Sequence, residues 1–281
     1  MIDTSAPWVL KVGGRELEAG PALDRLVALV RDAVRGGRAV VVVHGGGPEV
    51  SKRAQELGLR TEQRDGLRVT STEMLDVVVE VLAGRVNNRL VAALVAGGVP
   101  AIGLSGVSGR LLSVVPSGDP PGTLGWVGDP SAVDPRWLRR TLSDGFTPVV
   151  APLGVDPSGH VRNVNADLAA GAIAAALGAD LLLLTDVPSV RDGDGRAVPT
   201  LTPAEAHRLV GRGVALGGMI PKLDAAARSL SAGARSAWIG DLDGLGPAGP
   251  AAGAGTRLLR AAGGRATAPP ASESLSLAGA T

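Results

Sequence analysis

Cysteine is absent from the 281 residues. That excludes disulfide frameworks, cysteine-ligated zinc, iron–sulfur clusters and thiol catalysis. An excess of charge of one sign is also missing. The formal net charge is +1, too small for an extended nucleic-acid or membrane-surface footprint, although a local basic patch remains compatible. No apolar run approaches the ~18 residues of a membrane span. The first residues, MIDTSAPWVLKVGG, lack the basic start and long apolar run of a secretory signal. A soluble cytoplasmic protein is the expectation. Aromatic residues are scarce at 2%, one Phe and four Trp. What is present is apolar bulk: 45% hydrophobic against 20% charged residues, enough for a sizeable core and too little charge for a disordered chain. At roughly 150 residues per domain, the length predicts one large or two small domains.

Scarce residue types carry the information. Lysine occurs three times, as Lys11, Lys52 and Lys222, in a chain otherwise charged by arginine. Two of the three sit beside glycine motifs, LKVGG and GGMIPK. A lysine offers a compact, mobile point charge that arginine's planar fork does not imitate. Asparagine occurs four times in two clusters, Asn87 with Asn88 and Asn163 with Asn165.

Strand and helix patterns alternate along the chain. Trp8 to Val12 reads as a strand ending at Gly13-Gly14, followed by a helix over Pro21 to Arg35 with Leu23, Leu26, Val27 and Val30 on one face. Ala39 to Val43 is a continuous β-branched run, as in a strand covered on both faces. Helices are predicted over Glu49 to Leu57, from Ser71, over Val86 to Ala96, Pro135 to Leu142, Leu168 to Leu177, Thr202-Pro203 to Val210 and Pro221 to Ser231. Further strands are predicted over Pro100 to Leu104, Phe146 to Ala151, Leu181 to Leu184 and Arg235 to Ile239. Residues 105–130, rich in Gly, Pro and Ser, read as loops with short hairpins. Such alternation implies parallel βαβ units in a helix–sheet–helix sandwich. Residues 263–281 read as a disordered tail.

Three glycine turns stand where chemistry needs them. In His44-Gly-Gly-Gly-Pro48, a strand gives way to glycines and then to proline at a helix start. Exposed N–H groups and a helix N-terminus make an anion cradle. An esterase oxyanion hole uses similar residues, but no G-x-S-x-G elbow accompanies it here. In LKVGG, Lys11 can reach over the glycines toward a phosphate. In GGMIPK, Lys222 lies near a helix start, where it opposes the helix dipole and so points to an anionic partner. Asp167, in Asn163-Val-Asn-Ala-Asp167, is either a helix N-cap or the anion that organises both lysines. Arg68 can make a bidentate bond to a carboxylate, or simply lie exposed in a hairpin. Two lysines, an acidic residue and glycine turns, with no nucleophile–base pair, match phosphoryl transfer by charge neutralisation and positioning. Neither a Walker A motif nor protein-kinase segments occur.

The motifs KVGG (11–14), HGGGPEV (44–50), GLRVT (66–70), NVNAD (163–167), LLLTDV (182–187), GGMIPK (217–222) and GTRL (255–258) appear in the order found in the amino acid kinase family. The chain resembles that family, in the branch that phosphorylates the γ-carboxylate of N-acetyl-L-glutamate. The resemblance implies an α/β fold, a three-layer αβα sandwich around a mostly parallel central sheet. It implies an N-terminal lobe (1–157) for the acylated amino acid and dimerisation, and a C-terminal lobe (158–262) for the nucleotide. Lys11 and Lys222 would stabilise the migrating phosphoryl group, with Asp167 orienting them. Gly13 and Gly14 would line its path. Gly45, Gly46, Arg68, Asn163 and Asn165 would bind the substrate. Asp186, Val187, Val190, Gly217 and Met219 would contact ATP. Magnesium would be held mainly by the phosphates, with no protein metal site.

There are departures from the family pattern. Ser108 replaces a common Asp, Asn88 a common Lys, and no long helix precedes Trp8. The last of these implies an arginine-insensitive homodimer. Two alternatives stay open: a kinase for a carrier-protein-linked aminoadipate or glutamate, and a non-catalytic ligand-binding member.

Overall fold

A computed structural model describes residues 6–259 apart from 65 and 119; the predicted tail at 263–281 lies outside them. In chain order, β1 (Trp8–Val12) is followed by α1 (Pro21–Arg35), β2 (Val40–His44), α2 (Gly47–Glu56) and the hairpin β3 (Gln63–Arg64) and β4 (Leu67–Arg68). Next come α3 (Thr72–Val79), a π-helical stretch (Glu80–Val86), α4 (Asn87–Ala96), β5 (Ala101–Ser105), β6 (Leu112–Pro116) and β7 (Val127–Val133). The chain continues with α5 (Arg136–Ser143), β8 (Thr147–Ala151), β9 (Leu153–Val155), β10 (Val161–Val164), α6 (Ala166–Leu177) and β11 (Asp180–Leu184). It closes with β12 (Thr200–Leu201), α7 (Pro203–Gly211), α8 (Met219–Ala232), β13 (Ser236–Gly240), β14 (Leu245–Gly246), β15 (Gly249–Pro250) and β16 (Thr256–Leu258).

Eight strands form the central sheet in the order β12-β16-β13-β11-β1-β2-β8-β5. All pairings are parallel except β13 with β16. Side chains alternate across a strand, and β1 shows the consequence. Trp8, Leu10 and Val12 enter one core with α1, α2, α3 and α4, whereas Val9 enters the other with α5, α6 and α8. Lys11 shares the parity of Val9. The sheet therefore delivers its ammonium to the side on which α6 and α8 lie. Every residue of β1, β2 and β11 is buried, as continuous apolar runs of doubly covered parallel strands require.

Residues 105–130 hold more order than their composition predicts. The strands β10, β7, β6 and β9 close into a small barrel. Glycine permits it: a Cβ on Gly128 would meet Val114 Cγ2 at 2.8 Å, and one on Gly154 would meet Val114 Cγ1 at 2.4 Å. The boundary anticipated at 157/158 falls inside this barrel, between β9 and β10. The helices expected from Ser71 and over Val86 to Ala96 run on continuously through the π-helical stretch. Ser71 is the N-cap, its hydroxyl accepting from Met74 N at 3.2 Å.

Candidate active site

The charged centre is assembled by two helices, α6 and α8, and one strand, β1. On α6, a Cβ at Gly171 would stand 2.9 Å from Ala225 O of α8. Only glycine lets these helices approach so closely. Asp167 lies one turn before Gly171, and Lys222 lies three residues before Ala225, so the same contact brings their side chains together. Lys11 Nζ sits 3.0 Å from Asp167 Oδ1 and Lys222 Nζ 3.2 Å from Asp167 Oδ2. Lys11, Asp167 and Lys222 are only 8%, 4% and 9% exposed. Two buried cations thus share one buried anion, leaving a net positive charge.

The electrostatics follow from that imbalance. Burial works to raise the Asp167 pKa, but the ammoniums of Lys11 and Lys222 outweigh it and hold the carboxyl below its ordinary value. Burial first, and Lys11 second, push the Lys222 pKa down. A net positive, desolvated site of this kind lacks an anion. Asp167 is the second residue of α6; the N-cap is Asn165, whose side chain accepts from Asp167 N at 2.8 Å and Leu168 N at 3.2 Å. Of the two roles open to Asp167 in the sequence, the structure places it between the lysines.

A cavity of about 200 Å³ opens beside this centre, lined by Lys11, Gly45, Gly46, Arg68, Asn163 and Asp167 among others. Arg68 Nη2 donates to Gly47 O at 3.0 Å and to Ser51 Oγ at 2.7 Å. Its Nη1 is buried and has no hydrogen-bond partner among the described residues. A buried, unpaired guanidinium nitrogen at a cavity wall is costly unless a ligand accepts from it. Burial also lowers the Arg68 pKa, yet arginine stays charged. Asn163 Nδ2 donates to Thr70 Oγ1 at 3.1 Å, which fixes its side chain at the cavity wall. Asn165 also lines the cavity.

The remaining predicted residues are spread more widely. Gly13 is adjacent to the centre, since a Cβ there would stand 3.3 Å from Lys11 Nζ. Gly14 takes φ +59 and Gly217 φ +53, values glycine adopts without strain. Asp186 is exposed, its carboxylate accepting from Thr185 Oγ1 at 3.1 Å. Val187 and Met219 are half-buried. Val190 is set apart: its side chain lies in the core, its N donates to Thr256 Oγ1 and its O accepts from Val198 N. The sequence reading passed over Ser51, Thr70 and Gly171. Ser51 shows no sequence signal, Thr70 ends the GLRVT motif with nothing to set it apart there, and Gly171 is one of the chain's 41 glycines.

Among the described residues, no group of three or more His, Asp or Glu side chains could hold a metal ion. Both Asp167 oxygens face ammonium groups.

Comparison with known proteins places this geometry in a lineage. Residues 6–241 match the profile of the amino acid kinase family. The acetylglutamate kinase of Rubrobacter xylanophilus is 49% identical over 84% of this chain and 93% of its own length. That of Methanopyrus kandleri is 46% identical over 84% of this chain and 96% of its own. The solved N-acetylglutamate synthase of Neisseria gonorrhoeae, complexed with coenzyme A and N-acetyl-glutamate, is 26% identical with a TM-score of 0.76, covering 92% of this chain and 60% of that one. Sequence order, fold and charged centre lead to one conclusion: the chain belongs to the amino acid kinase family.

Proposed function

We propose that the protein transfers the γ-phosphoryl group of ATP to the γ-carboxylate of N-acetyl-L-glutamate, yielding an acyl phosphate and ADP. The observation that carries this reading is the pairing of a net cationic Lys11–Asp167–Lys222 centre with a cavity whose Arg68 Nη1 lacks an acceptor. The acetylglutamate kinases at 46% and 49% identity support the choice of substrate.

The chemistry demands little covalent work from the chain. The substrate carboxylate is already an anion at neutral pH, so no general base is needed. One of its oxygens forms a bond to the γ-phosphorus while the bond from that phosphorus to the bridging oxygen of ADP breaks. Charge spreads over the equatorial oxygens in the transition state. Lys11 and Lys222 neutralise it in a desolvated site, where each ammonium acts more strongly than in water. Asp167 holds the two ammoniums so that they need not reorganise during transfer. Arg68 takes the substrate's α-carboxylate, and Asn163 the amide, placing the side-chain carboxylate toward the lysines. Gly13, Gly14, Gly45 and Gly46 line the phosphoryl path, and Asp186, Val187, Gly217 and Met219 the nucleotide side. Magnesium would arrive as the counter-ion of the phosphates; among the described residues no group of three or more His, Asp or Glu side chains could hold it.

The two lobes, the homodimer and a cytoplasmic location belong to the same reading. No helix among the described residues is long and apolar enough to cross a membrane. The sheet ends at β5, where Ile102 is 41% exposed, and Val95 of α4, the helix leading into that strand, is 54% exposed; an exposed apolar edge is suited to a second copy. The test of the activity is ATP-dependent hydroxamate formation, with N-acetylglutamate, N-succinylglutamate, N-acetylaminoadipate and carrier-linked analogues offered in parallel. Product from N-acetylglutamate alone is expected. Product only from a carrier-linked substrate, or tight binding without any product, would overturn it.

A further inference from the structure

Two buried polar side chains, His44 and Asn87, take no part in the chemistry described so far. His44 ends β2 and is 0% exposed; Asn87 begins α4 and is 5% exposed. Apolar residues would fill such positions at lower cost, so their contacts need a reason. His44 Nδ1 lies 2.8 Å from Gly45 O. A carbonyl only accepts, so Nδ1 carries the proton and donates. Asn87 Nδ2 lies 2.9 Å from Val149 O, 3.3 Å from Leu104 O and 3.1 Å from His44 Nε2. Two of these three partners are carbonyls, which fixes the amide with its nitrogen toward them. The His44 Nε2 therefore accepts. The network specifies one neutral tautomer, and burial keeps it neutral by lowering the His44 pKa to about 4. The charged groups nearest in effect are Arg89 of α4 and Glu49 of α2, and these two pair with each other.

The consequence lies one peptide further on. In a planar trans peptide the carbonyl and the following N–H point in opposite directions. Holding Gly45 O against the imidazole therefore turns the Gly46 N–H away from it. Gly45 N is itself fixed to Val12 O at 2.8 Å. Gly46 takes φ +148, and a Cβ there would meet Leu82 Cδ2 at 2.6 Å, so glycine is required for this backbone path. Gly45, Gly46 and Gly47 all line the cavity beside Lys11. Free of this anchor, a glycine triplet would sample other peptide orientations.

We propose that His44, held by Asn87, is a positioning residue that sets the Gly45–Gly46 peptide so that its N–H serves the migrating phosphoryl group. Asn87 in turn ties the C-terminal ends of β2 and β5 to the middle of β8, next to the edge of the sheet where ligands bind in such folds. The inference rests on the phosphotransfer reading above, and it adds a preorganised donor to the two ammoniums.

The experiment compares His44→Leu, His44→Gln and His44→Asn in the full chain, with circular dichroism to confirm folding. An asparagine amide nitrogen falls near the Nδ1 position and can still donate to Gly45 O. A glutamine amide falls near Nε2 and cannot. In the hydroxamate assay, His44→Leu and His44→Gln are expected to lose on the order of 10²-fold in kcat, with KM for ATP and N-acetylglutamate within about threefold of wild type. His44→Asn is expected to recover at least about tenfold of that loss. Equal kcat in all three variants, whether high or low, would overturn the inference, as would losses confined to KM. An inactive wild type would instead sink the activity reading. The positioning claim then rests on nitrogen-15 NMR of the imidazoles, only three of which occur in the chain. Nδ1-protonated, neutral His44 at pH 7 supports it; an Nε2-protonated or cationic ring overturns it.

Discussion

Replacing Asp167 by Asn tests the charged centre at its most exposed point, energetically. The change is nearly isosteric but removes the one negative charge held 3.0 Å from Lys11 Nζ and 3.2 Å from Lys222 Nζ. All three groups are less than a tenth exposed, so water does not replace the lost partner. Stripping one member from a buried ion-pair network costs about 3–5 kcal/mol. At roughly 2–4 °C per kcal/mol for a chain of this size, the unfolding midpoint should fall by roughly 6–20 °C. Turnover should fall by about 10³-fold, because the ammoniums lose the group that aims them. A further signature separates this from ordinary damage. ATP brings the negative charge the variant lacks, so it should raise the variant's midpoint by more than it raises that of the wild type. Differential scanning fluorimetry with and without ATP, and a coupled kinase assay, read all three quantities. A midpoint within 2 °C of wild type together with turnover within about tenfold would refute the reasoning, and so would a smaller ATP-induced shift in the variant.

Three other perturbations follow from the same geometry. Arg68→Met removes the unpaired Nη1 donor and should raise KM for N-acetylglutamate by about 10–100-fold, the worth of a charge-assisted hydrogen bond, with KM for ATP unchanged; a uniform effect on both substrates in steady-state kinetics would contradict it. Burial first, and Lys11 second, lower the Lys222 pKa below its ordinary value, so its charged form, the one the proposed role requires, is lost as pH rises through that lowered value. The alkaline limb of the kcat–pH profile should therefore lie below the ordinary lysine range, and a profile flat to that range would count against the assignment. Gly171→Ala places a methyl 2.9 Å from Ala225 O and should part α6 from α8, lowering stability by about 1–3 kcal/mol and turnover by more than this strain alone would explain; denaturant titration and kinetics showing neither loss would mean that the helix contact does not set the Asp167–Lys222 distance.

Much of this arrangement was legible in the residues, and the parts that were not have physical causes. Lys11, Lys222 and Asp167 stood out because lysine is rare here and each flanks a glycine turn or a helix start. Strand alternation then accounts for why Lys11 shares a face with α6 and α8. The β6, β7, β9 and β10 barrel was hidden because its strands are short and broken by Gly and Pro, residues that read as loops when no partner strand is known. The α3–α4 continuity was hidden because a π-helical insertion shifts the apolar period at Glu80–Val86. Asp167 and Asn165 are both good cap residues; only tertiary contact assigns the cap to Asn165 and the ion pairs to Asp167. Val190 sits beside a turn in the sequence, yet its hydrogen bonds to Thr256 and Val198 draw it into the core. The tie from Asn87 to His44 spans 43 residues, and nothing in either local sequence announces it.

The central claim is that two buried ammoniums, aimed by one carboxylate, carry the phosphoryl transfer. Its most direct measurement is the single-turnover rate of Lys222→Met with both substrates saturating, where binding defects drop out. The account predicts a rate lower than wild type by about 10³-fold. A rate within about tenfold of wild type would contradict it.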